Sequence, residues 1–360
     1  MPPELRPYAV RLALDAEQRV HDNLSGVVAQ GSALWVIGDE AGGIDRLLPL
    51  PPAQEEVLHF GKARHFPLAD YLDLPQESHQ ATLTGMSYAD GYLWVVGAHG
   101  SRRKAPRREY TTRENLARLT QLSYDTNRYI LARIPVVEDA YYQPTLAKYA
   151  PDGRFAALLK GKKRSNLLTD LLLNDEHLAP FMELATQDNG FSVAGIAVRG
   201  SQVLLGLRGP VLRGWACILE INFSARKEKL RLDGIGEGYY RKHFVRLAGL
   251  GIQDLHWEGN DLCLLAAPTM ALDGAIRLFR WPDAHSALNQ VAFYEQSVLW
   301  WDAALCELAL PYGVDHDRAN AFCVLPEAWG GAKQWLVLYH LPSRARKRVE
   351  NIVLGDILRT

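Results

Sequence analysis

The stretch "SGVVAQGSALWVIGDE", residues 25–40, holds two short apolar runs separated by the polar turn "QGS", and it ends on two carboxylates. Short apolar segments joined by a Gly-containing turn are typical of a β-hairpin. Related stretches recur at residues 84–99, 194–208, 253–268 and, in a degenerate form, 312–327. The fold is therefore decided by a repeat and not by a single motif.

The spacing of the copies predicts how many units the chain contains. The leading residues of the aligned copies are Gly26, Gly85, Gly195, Asp254 and Gly313, separated by 59, 110, 59 and 59 residues. Because 110 is close to twice the shorter spacing, we expect a sixth, diverged copy near position 140. Units of about 60 residues with four antiparallel strands each, arranged radially, describe a β-propeller. The sequence predicts an all-β fold, a six-bladed β-propeller.

Two segments interrupt the β pattern. Thr111 and Glu114 have the spacing of a capping box and are followed by leucines at helical intervals, which predicts a helical insertion around residues 111–125. The run "SNLLTDLLLNDEHLAPFMELA" is too long and too densely apolar for one strand. It predicts a second helical insertion around residues 165–185.

Composition and the chain ends indicate one globular unit. The hydrophobic fraction of 48% is enough for a sizeable core, and no apolar run approaches the roughly 18 residues of a membrane span. The N-terminus lacks the apolar region and cleavage site of a secretory signal. We expect a single domain over residues 1–360, in the cytoplasm and without membrane contact. Strand-like segments at both ends, "YAVRLAL" and "RVENIVLGDIL", predict that the first strand closes the ring against the last.

The cysteine spacing argues against disulfides and zinc. The four cysteines include no C-x-x-C pair, and they are Cys217, Cys263, Cys306 and Cys323. Scattered cysteines within apolar segments predict buried free thiols.

The carboxylates that end the first copy belong to a predicted ring. At the same register, just past the second strand, the five copies place Glu40, His99, Arg208, Pro268 and Glu327. Equivalent positions of a propeller converge on its central channel, and loops on a rigid scaffold commonly carry binding groups. We therefore name Glu40, His99 and Asp254, which replaces a leading glycine, as acid or base candidates. The alternatives are solvated loop residues, a pair between Arg208 and a neighbouring unit's carboxylate such as Glu40, and, for Asp254, a carboxylate that accepts hydrogen bonds from backbone amides.

Basic side chains follow the same strands. The candidate ligand-binding residues are Arg102, Arg103, Arg208, Arg213, Arg241, Lys242 and His243. Guanidinium groups bind carboxylates and phosphates bidentately, so a cluster at a channel mouth suits an anion. A net charge of -1 disfavours wholesale nucleic-acid binding and leaves a local patch open. The expected partner is an anionic small molecule or a protein.

No complete catalytic signature is present in the sequence. The segment "VDHDRAN" offers Asp315, His316 and Asp317 either to a divalent cation such as Ca²⁺ or, as the more ordinary interpretation, to a turn. The metal and cofactor therefore stay unknown. Two functions stay open, a non-catalytic channel mouth that binds an anionic ligand or a partner, and a hydrolase for phosphate or carboxylate esters that a metal ion could assist.

The run "NGFSVAGIAVRGSQVLLGLRGPVLRGWACILEI" and its continuation to residue 282 resemble a bacterial family of uncharacterised proteins, domain of unknown function 3616. That family is related to six-bladed propellers of the phytase-like esterase type, so the resemblance implies the fold but no established activity. The residues that match its pattern are Arg208, Arg213, Arg241, Lys242, His243, Asp254, Thr269 and Asp273. The family form "IEGLAVRG" has a Glu where this chain has Ala194, so a role of that Glu does not carry over.

Overall fold

The computed structural model describes residues 4–15, 17, 20–39, 41–51, 57–76, 80–124, 127–270, 272–290, 296–299, 304–313, 317–329, 334–349 and 351–359. Strands account for 54% of the residues and helices for 12%, so the fold is predominantly β, as predicted. In this part of the chain no helix is both long and apolar enough to cross a membrane.

The strands are, in chain order, β1 (Glu4–Ala13), β2 (Leu24–Gln30), β3 (Ala33–Gly38), β4 (Gly43–Leu50), β5 (Leu58–Pro67), β6 (Leu83–Ala89), β7 (Tyr92–Gly97), β8 (Arg102–Arg103), β9 (Leu122–Ser123), β10 (Leu131–Glu138), β11 (Pro144–Leu146), β12 (Ala157–Leu159), β13 (Ser192–Arg199), β14 (Gln202–Gly209), β15 (Trp215–Arg226), β16 (Lys229–Asp233), β17 (Arg241–Arg246), β18 (Gly251–Glu258), β19 (Asp261–Ala267), β20 (Ile276–Trp281), β21 (Gln296–Leu299), β22 (Leu305–Leu310), β23 (Arg318–Leu325), β24 (Gln334–His340), β25 (Lys347–Val349) and β26 (Ile352–Arg359). The α-helices are α1 (Thr112–Thr120), α2 (Leu167–Leu172) and α3 (Ala284–Gln290).

Strand pairing groups most of the described strands into five antiparallel units, four with four strands and one with five. Unit 1 is β2, β3, β4 and β5, and unit 2 is β6, β7, β10 and β12. Unit 3 is β13, β14 and β15, with β17 and β16 pairing along successive parts of β15. Unit 4 is β18, β19, β20 and β22, and unit 5 is β23, β24, β26 and β1.

The units form a closed ring. The first strand of each unit contacts the first strand of the next, from β2 through β6, β13, β18 and β23 back to β2. Buried apolar side chains of the described residues form five clusters, one between each pair of neighbouring units. This is the arrangement of a β-propeller with five blades, in which radial packing covers both faces of each sheet.

The described strands thus form five units and not the predicted six. The gap of 110 residues contains no lost unit, because unit 2 is interrupted by residues 98–130 and followed by a further insertion, residues 160–191. The region near position 140 supplies the third strand of unit 2, β10. The count failed because it assumed that every unit has the same length.

Alternation along the strands fills the clusters. In β3, Trp35 and Ile37 pack toward unit 2, while Leu34 and Val36 pack toward unit 5. All four are fully buried. Successive strand residues point to opposite faces, and burying such a side chain stabilises the fold by about 1.5–3 kcal/mol. The apolar run of the opening stretch is therefore continuous because both of its faces are covered.

Both predicted helical insertions are present. Helix α1 begins after Thr111, whose side chain accepts a hydrogen bond from the Glu114 amide, while the Glu114 carboxylate accepts one from the Thr111 amide at 2.8 Å. This is the predicted capping box. Helix α2 is capped in the same way by Asn166 and is followed by two short 3₁₀ turns, Ala179–Phe181 and Thr186–Asp188.

The two ends of the chain lie side by side in unit 5. Strand β1 pairs antiparallel with β26 and parallel with β5 of unit 1. The buried Asp356 carboxylate accepts hydrogen bonds from the Tyr8 amide at 2.8 Å and from the Arg346 guanidinium at 2.6 and 3.0 Å. One carboxylate therefore joins the first strand to the last.

Gly85 and Gly195, two of the leading residues, lie where the first strands of neighbouring units approach one another. A Cβ on Gly195 would lie 2.7 Å from the Leu255 nitrogen of the next unit, so a side chain there forces the backbones apart. The four cysteines are free thiols, of which Cys306 is exposed and the other three are buried. The prediction of buried thiols therefore holds for three of them.

Candidate functional site

Each first strand carries a β-bulge close to its start. A bulge adds one unpaired residue and breaks the alternation of side chains, which redirects the side chain at that point. The bulged residues of units 1 to 5 are Ser25, Thr84, Ala194, Gln253 and Asn320. All five line a cavity of about 170 Å³, which therefore lies where the five units meet.

A second layer lines the cavity at the ends of the second strands. Its members, in units 1 to 5, are Asp39, Ala98, Arg208, Ala267 and His340. In each unit one strand pair lies next to the bulge, on the side of the start of the first strand. The second layer lies just beyond that pair. We call the two sets the bulge layer and the mouth layer.

The predicted ring agrees with the mouth layer in part. Arg208 and Pro268 line the cavity, whereas Glu40 lies outside the described residues. Glu327 belongs to the short helix Glu327–Trp329 between β23 and β24, at the opposite end of unit 5. The fifth copy was misaligned, because the bulge at Asn320 comes seven residues after the Gly313 that was taken as the leading residue.

His99 is buried outside the cavity lining, with 1% of its surface exposed. Its Nδ1 lies 2.7 Å from the Gly97 carbonyl oxygen, and its Nε2 lies 2.7 Å from the Asn166 amide nitrogen. Burial lowers the pKa of His99 to about 4. Because both ring nitrogens already have protein partners, His99 anchors the α2 insertion and is not placed to exchange a proton with a ligand.

Asp254 also lies outside the cavity lining, because the bulge turns Gln253 to the cavity in its place. The Asp254 carboxylate accepts hydrogen bonds from the amides of Leu255 at 2.9 Å and of Phe322 in unit 5 at 3.1 Å. Its other neighbour is His256, 3.3 Å away. This is the backbone-satisfying alternative, and it ties unit 4 to unit 5.

Three of the predicted basic residues, all on β17, bind carboxylates of β15 or of the insertion at residues 160–191. Arg241 and His243 both bind the buried Glu220, at 2.5 and 2.8 Å, and Lys242 binds Asp175 at 2.7 Å. Hydrogen bonds from Lys242 and Tyr240 outweigh burial and lower the pKa of Asp175. These contacts hold β17 to β15 and to the insertion at residues 160–191.

The remaining predicted residues divide between cavity and surface. Arg102 and Arg208 line the cavity. Arg103 pairs with Asp188 at 2.5 Å, and Arg213 lies in the turn between β14 and β15. Arg102 is therefore in reach of a cavity ligand, while Arg103 is held against the α2 insertion.

Positive charge exceeds negative charge around the cavity. Its described lining contains four guanidinium groups, those of Arg102, Arg128, Arg208 and Arg318. It contains two carboxylates, those of Asp39 and Asp273. Arg128 donates hydrogen bonds to the Gly100 carbonyl and to Thr82, and Arg318 lies 3.7 Å from Asp273.

Arg208 differs from these neighbours. Its guanidinium makes no hydrogen bond and no ion pair with any described residue, and its Nε is buried. Burial and the charge of Arg318 lower the pKa of Arg208, and Asp39 opposes them only in part. Among the described residues this charge has no bound partner of the kind that a largely desolvated cation ordinarily has.

His340, which the sequence reasoning missed, lies in the mouth layer of unit 5. Burial, followed by the charges of Arg208 and Arg318, lowers its pKa to about 4. The imidazole is therefore neutral at physiological pH and has one nitrogen to donate and one to accept a hydrogen bond. Because the connection between β23 and β24 is longer than the turn between β13 and β14, only the strand pairing puts His340 at the register of Arg208.

The predicted metal-ligating segment, "DHD" at residues 315–317, lies mostly outside the described residues. The described residues contain no group of three His, Cys, Asp or Glu side chains placed to hold a metal ion. Asp315 and His316 lie outside the described residues, while Asp317 accepts a hydrogen bond from Arg346 at 2.6 Å. The third member of the "DHD" segment is thus engaged in the framework.

The geometry defines a class, a five-unit β ring with a polar, positively charged cavity at its centre. The chain belongs to the family described as protein of unknown function, DUF3616, which it matches over residues 23–356. Ala194 is the bulged residue of unit 3 and lines the cavity.

Comparison with individual proteins adds little. A search of curated proteins found no match. Among solved structures, the crystal structure of Myxococcus xanthus glutaminyl cyclase is similar with a TM-score of 0.40 and 8% sequence identity, over 99% of this chain and 98% of that one.

Proposed function

We propose that the central cavity binds a small anion and that Arg208 is its principal contact. The observation that carries this proposal is the Arg208 guanidinium, which lines the cavity without a hydrogen bond or ion pair to any described residue. A guanidinium presents a planar set of donors that matches a carboxylate or a phosphate. A bound anion would pair with this guanidinium.

The surrounding charges support the same ligand. The described lining carries twice as many guanidinium groups as carboxylates, and His340 adds a neutral imidazole. A low-dielectric cavity strengthens the attraction of these groups for an anion. The excess of positive charge in the described lining would repel a cation.

The size of the cavity favours a small molecule over a protein partner. About 170 Å³ is below the roughly 300–1,000 Å³ typical of drug-sized ligand sites, so a peptide segment does not fit inside. A protein partner that covers the mouth remains the competing outcome of the experiment.

Hydrolysis of a phosphate or carboxylate ester is a second candidate, favoured by His340. A pKa of about 4 makes this imidazole a weak base, but a bound anion would offset the charges of Arg208 and Arg318 that depress it. The pKa would then rise in part toward the range of a general base, while burial, the larger cause of its depression, would remain. Assay of p-nitrophenyl phosphate and p-nitrophenyl acetate with His340→Gln, with and without Ca²⁺, tests this candidate.

The binding proposal is tested by thermal unfolding and calorimetry with inorganic phosphate and citrate. An anion at about 100 times its Kd should stabilise the native protein by about 2.7 kcal/mol. The stabilisation should vanish in Arg208→Ala and persist in Arg213→Ala, a matched arginine in the adjoining turn outside the cavity lining. Equal stabilisation of both variants would contradict the proposal, and no response to either anion would favour a protein partner.

A further inference from the structure

The two layers of the cavity offer different chemistry to a ligand. The mouth layer and its neighbours carry the guanidinium groups, whereas the bulge layer consists of two hydroxyls, two amides and one methyl group. The bulge layer carries no charge, so an anionic head is held at the mouth. The rest of the ligand faces the bulge layer.

Hydrogen bonds between units fix the polarity of the bulge layer. Ser25 Oγ donates to the Leu83 carbonyl of unit 2 at 2.7 Å, and Thr84 Oγ1 donates to the Val193 carbonyl of unit 3 at 2.9 Å. Because each hydroxyl proton is committed to the backbone, both oxygens present only lone pairs to the cavity.

Asn320 repeats the pattern at the junction of units 5 and 1. Its Nδ2 donates to the Leu24 carbonyl at 3.0 Å, which leaves its amide oxygen as an acceptor. Three of the five bulge residues therefore offer acceptors at equivalent positions. Acceptors of this kind match donor groups on a ligand, such as hydroxyls.

Gln253 is the polar member of the bulge layer whose side chain makes no hydrogen bond with a described residue. Its side chain lines the cavity, is 9% exposed, and makes no hydrogen bond with any described residue. Because the described chain does not use this amide, its hydrogen-bonding groups are available to a ligand in the cavity. The amide both donates and accepts, as a hydroxyl does.

We infer that the ligand is a small hydroxylated anion of the sugar-phosphate or sugar-acid class, with its acid group at Arg208 and its hydroxyls against Gln253, Ser25, Thr84 and Asn320. This inference rests on the proposed anion binding and extends it to the uncharged part of the ligand. The observation behind it is that guanidinium groups lie at the mouth and uncharged hydrogen-bonding groups lie in the bulge layer.

Calorimetry with matched ligands separates the two proposals. Glucose 6-phosphate should bind at least about tenfold more tightly than hexyl phosphate, which has the same charged head without hydroxyls. Gluconate distinguishes a carboxylate head from a phosphate head, and tighter binding of either hydroxylated anion supports the class. Hexyl phosphate binding as tightly as glucose 6-phosphate, with gluconate no tighter than citrate, would overturn the inference and leave anion binding intact.

A variant sharpens the test. Gln253→Met keeps the length of the side chain and removes the amide, so it should weaken the hydroxylated anion about tenfold and leave inorganic phosphate unchanged. Unchanged phosphate binding also reports that the variant is folded. Equal weakening of both ligands, or of neither, would contradict the role of Gln253, while Arg208→Ala binding phosphate normally would refute the anion site itself.

Discussion

Arg208 and Lys242 are both basic residues on strands of unit 3, yet the structure gives them opposite surroundings. Lys242 and its neighbours on β17 bind buried carboxylates within 3 Å. Arg208 faces a cavity and makes no such bond with a described residue. We call the first kind the framework set, which includes Arg346, and the second kind the cavity set, which includes His340.

The comparison shows that the partner of a basic residue, and not its position on a strand, indicates whether it can bind a ligand. A cation with a buried carboxylate beside it is already neutralised, and removing it leaves that carboxylate uncompensated. A cation without such a partner costs stability in the native state, and a ligand can recover the cost. The following predictions test this division.

Deleting residues 1–14 should have the largest effect on the framework. We propose that residues 1–360 form one domain closed by its ends. The deletion removes β1, including the fully buried Val10 and Leu12, and the Tyr8 amide that bonds Asp356. Loss of two such side chains alone amounts to about 4 kcal/mol or more, so cooperative unfolding in urea should be lost or strongly weakened.

Deletion of residues 1–3 alone provides the control, because it leaves β1 whole. Retention of the wild-type melting temperature by the longer deletion would count against closure through the ends.

Lys242→Met should destabilise the protein by about 3–5 kcal/mol, because it leaves the buried Asp175 without its counter-ion. Urea unfolding at pH 7 measures the loss. Anion binding, once corrected for the folded fraction, should stay at the wild-type level. A stable Lys242→Met that no longer binds anions would move Lys242 to the cavity set.

Acidification should weaken the protein through its buried histidines. The folded-state pKa of His99 is about 4, below the unfolded value near 6.5, so the unfolded state takes up a proton first as the pH falls. His99 contributes stability that is complete above about pH 6.5 and is lost as the pH falls toward 4. Between pH 7 and pH 5 its share of the loss is about 2 kcal/mol.

His99→Gln is the test of this slope, because an amide oxygen can still accept the hydrogen bond of Asn166. The free energy of unfolding in urea should differ less between pH 7 and pH 5 in the variant than in the wild type. An identical pH dependence in both proteins would exclude His99 as a source of the acid sensitivity.

Arg208→Met should have the smallest effect on stability, within about 1 kcal/mol of the wild type and toward greater stability. The reason is that burial and Arg318 disfavour the charge of Arg208 in the native state. Thermal unfolding without ligand measures the change, with Arg213→Met as the comparison. A loss as large as that of Lys242→Met would show that Arg208 belongs to the framework set.

Much of the fold was predictable from local patterns. The repeated hairpins, the continuous apolar runs and the capping box at Thr111 each depend on interactions between residues near in sequence. Arg208 and Pro268 were placed at the centre of the ring because each follows the second apolar segment of its copy, 13 and 14 residues after the leading residue. The same reasoning missed Arg318, His340 and Gln253, since insertions and a misaligned fifth copy concealed their register.

The sequence by itself determined that the chain is a repeat of antiparallel β units, because strand alternation and turn chemistry are local properties. Only the tertiary structure decided that there are five units, which side chains face the axis, and which cations are neutralised. A bulge shifts the facing residue by one, from Asp254 to Gln253, and the Lys242–Asp175 pair joins residues 67 positions apart. Such choices depend on contacts that form only when the ring closes, and spacing along the chain does not encode them.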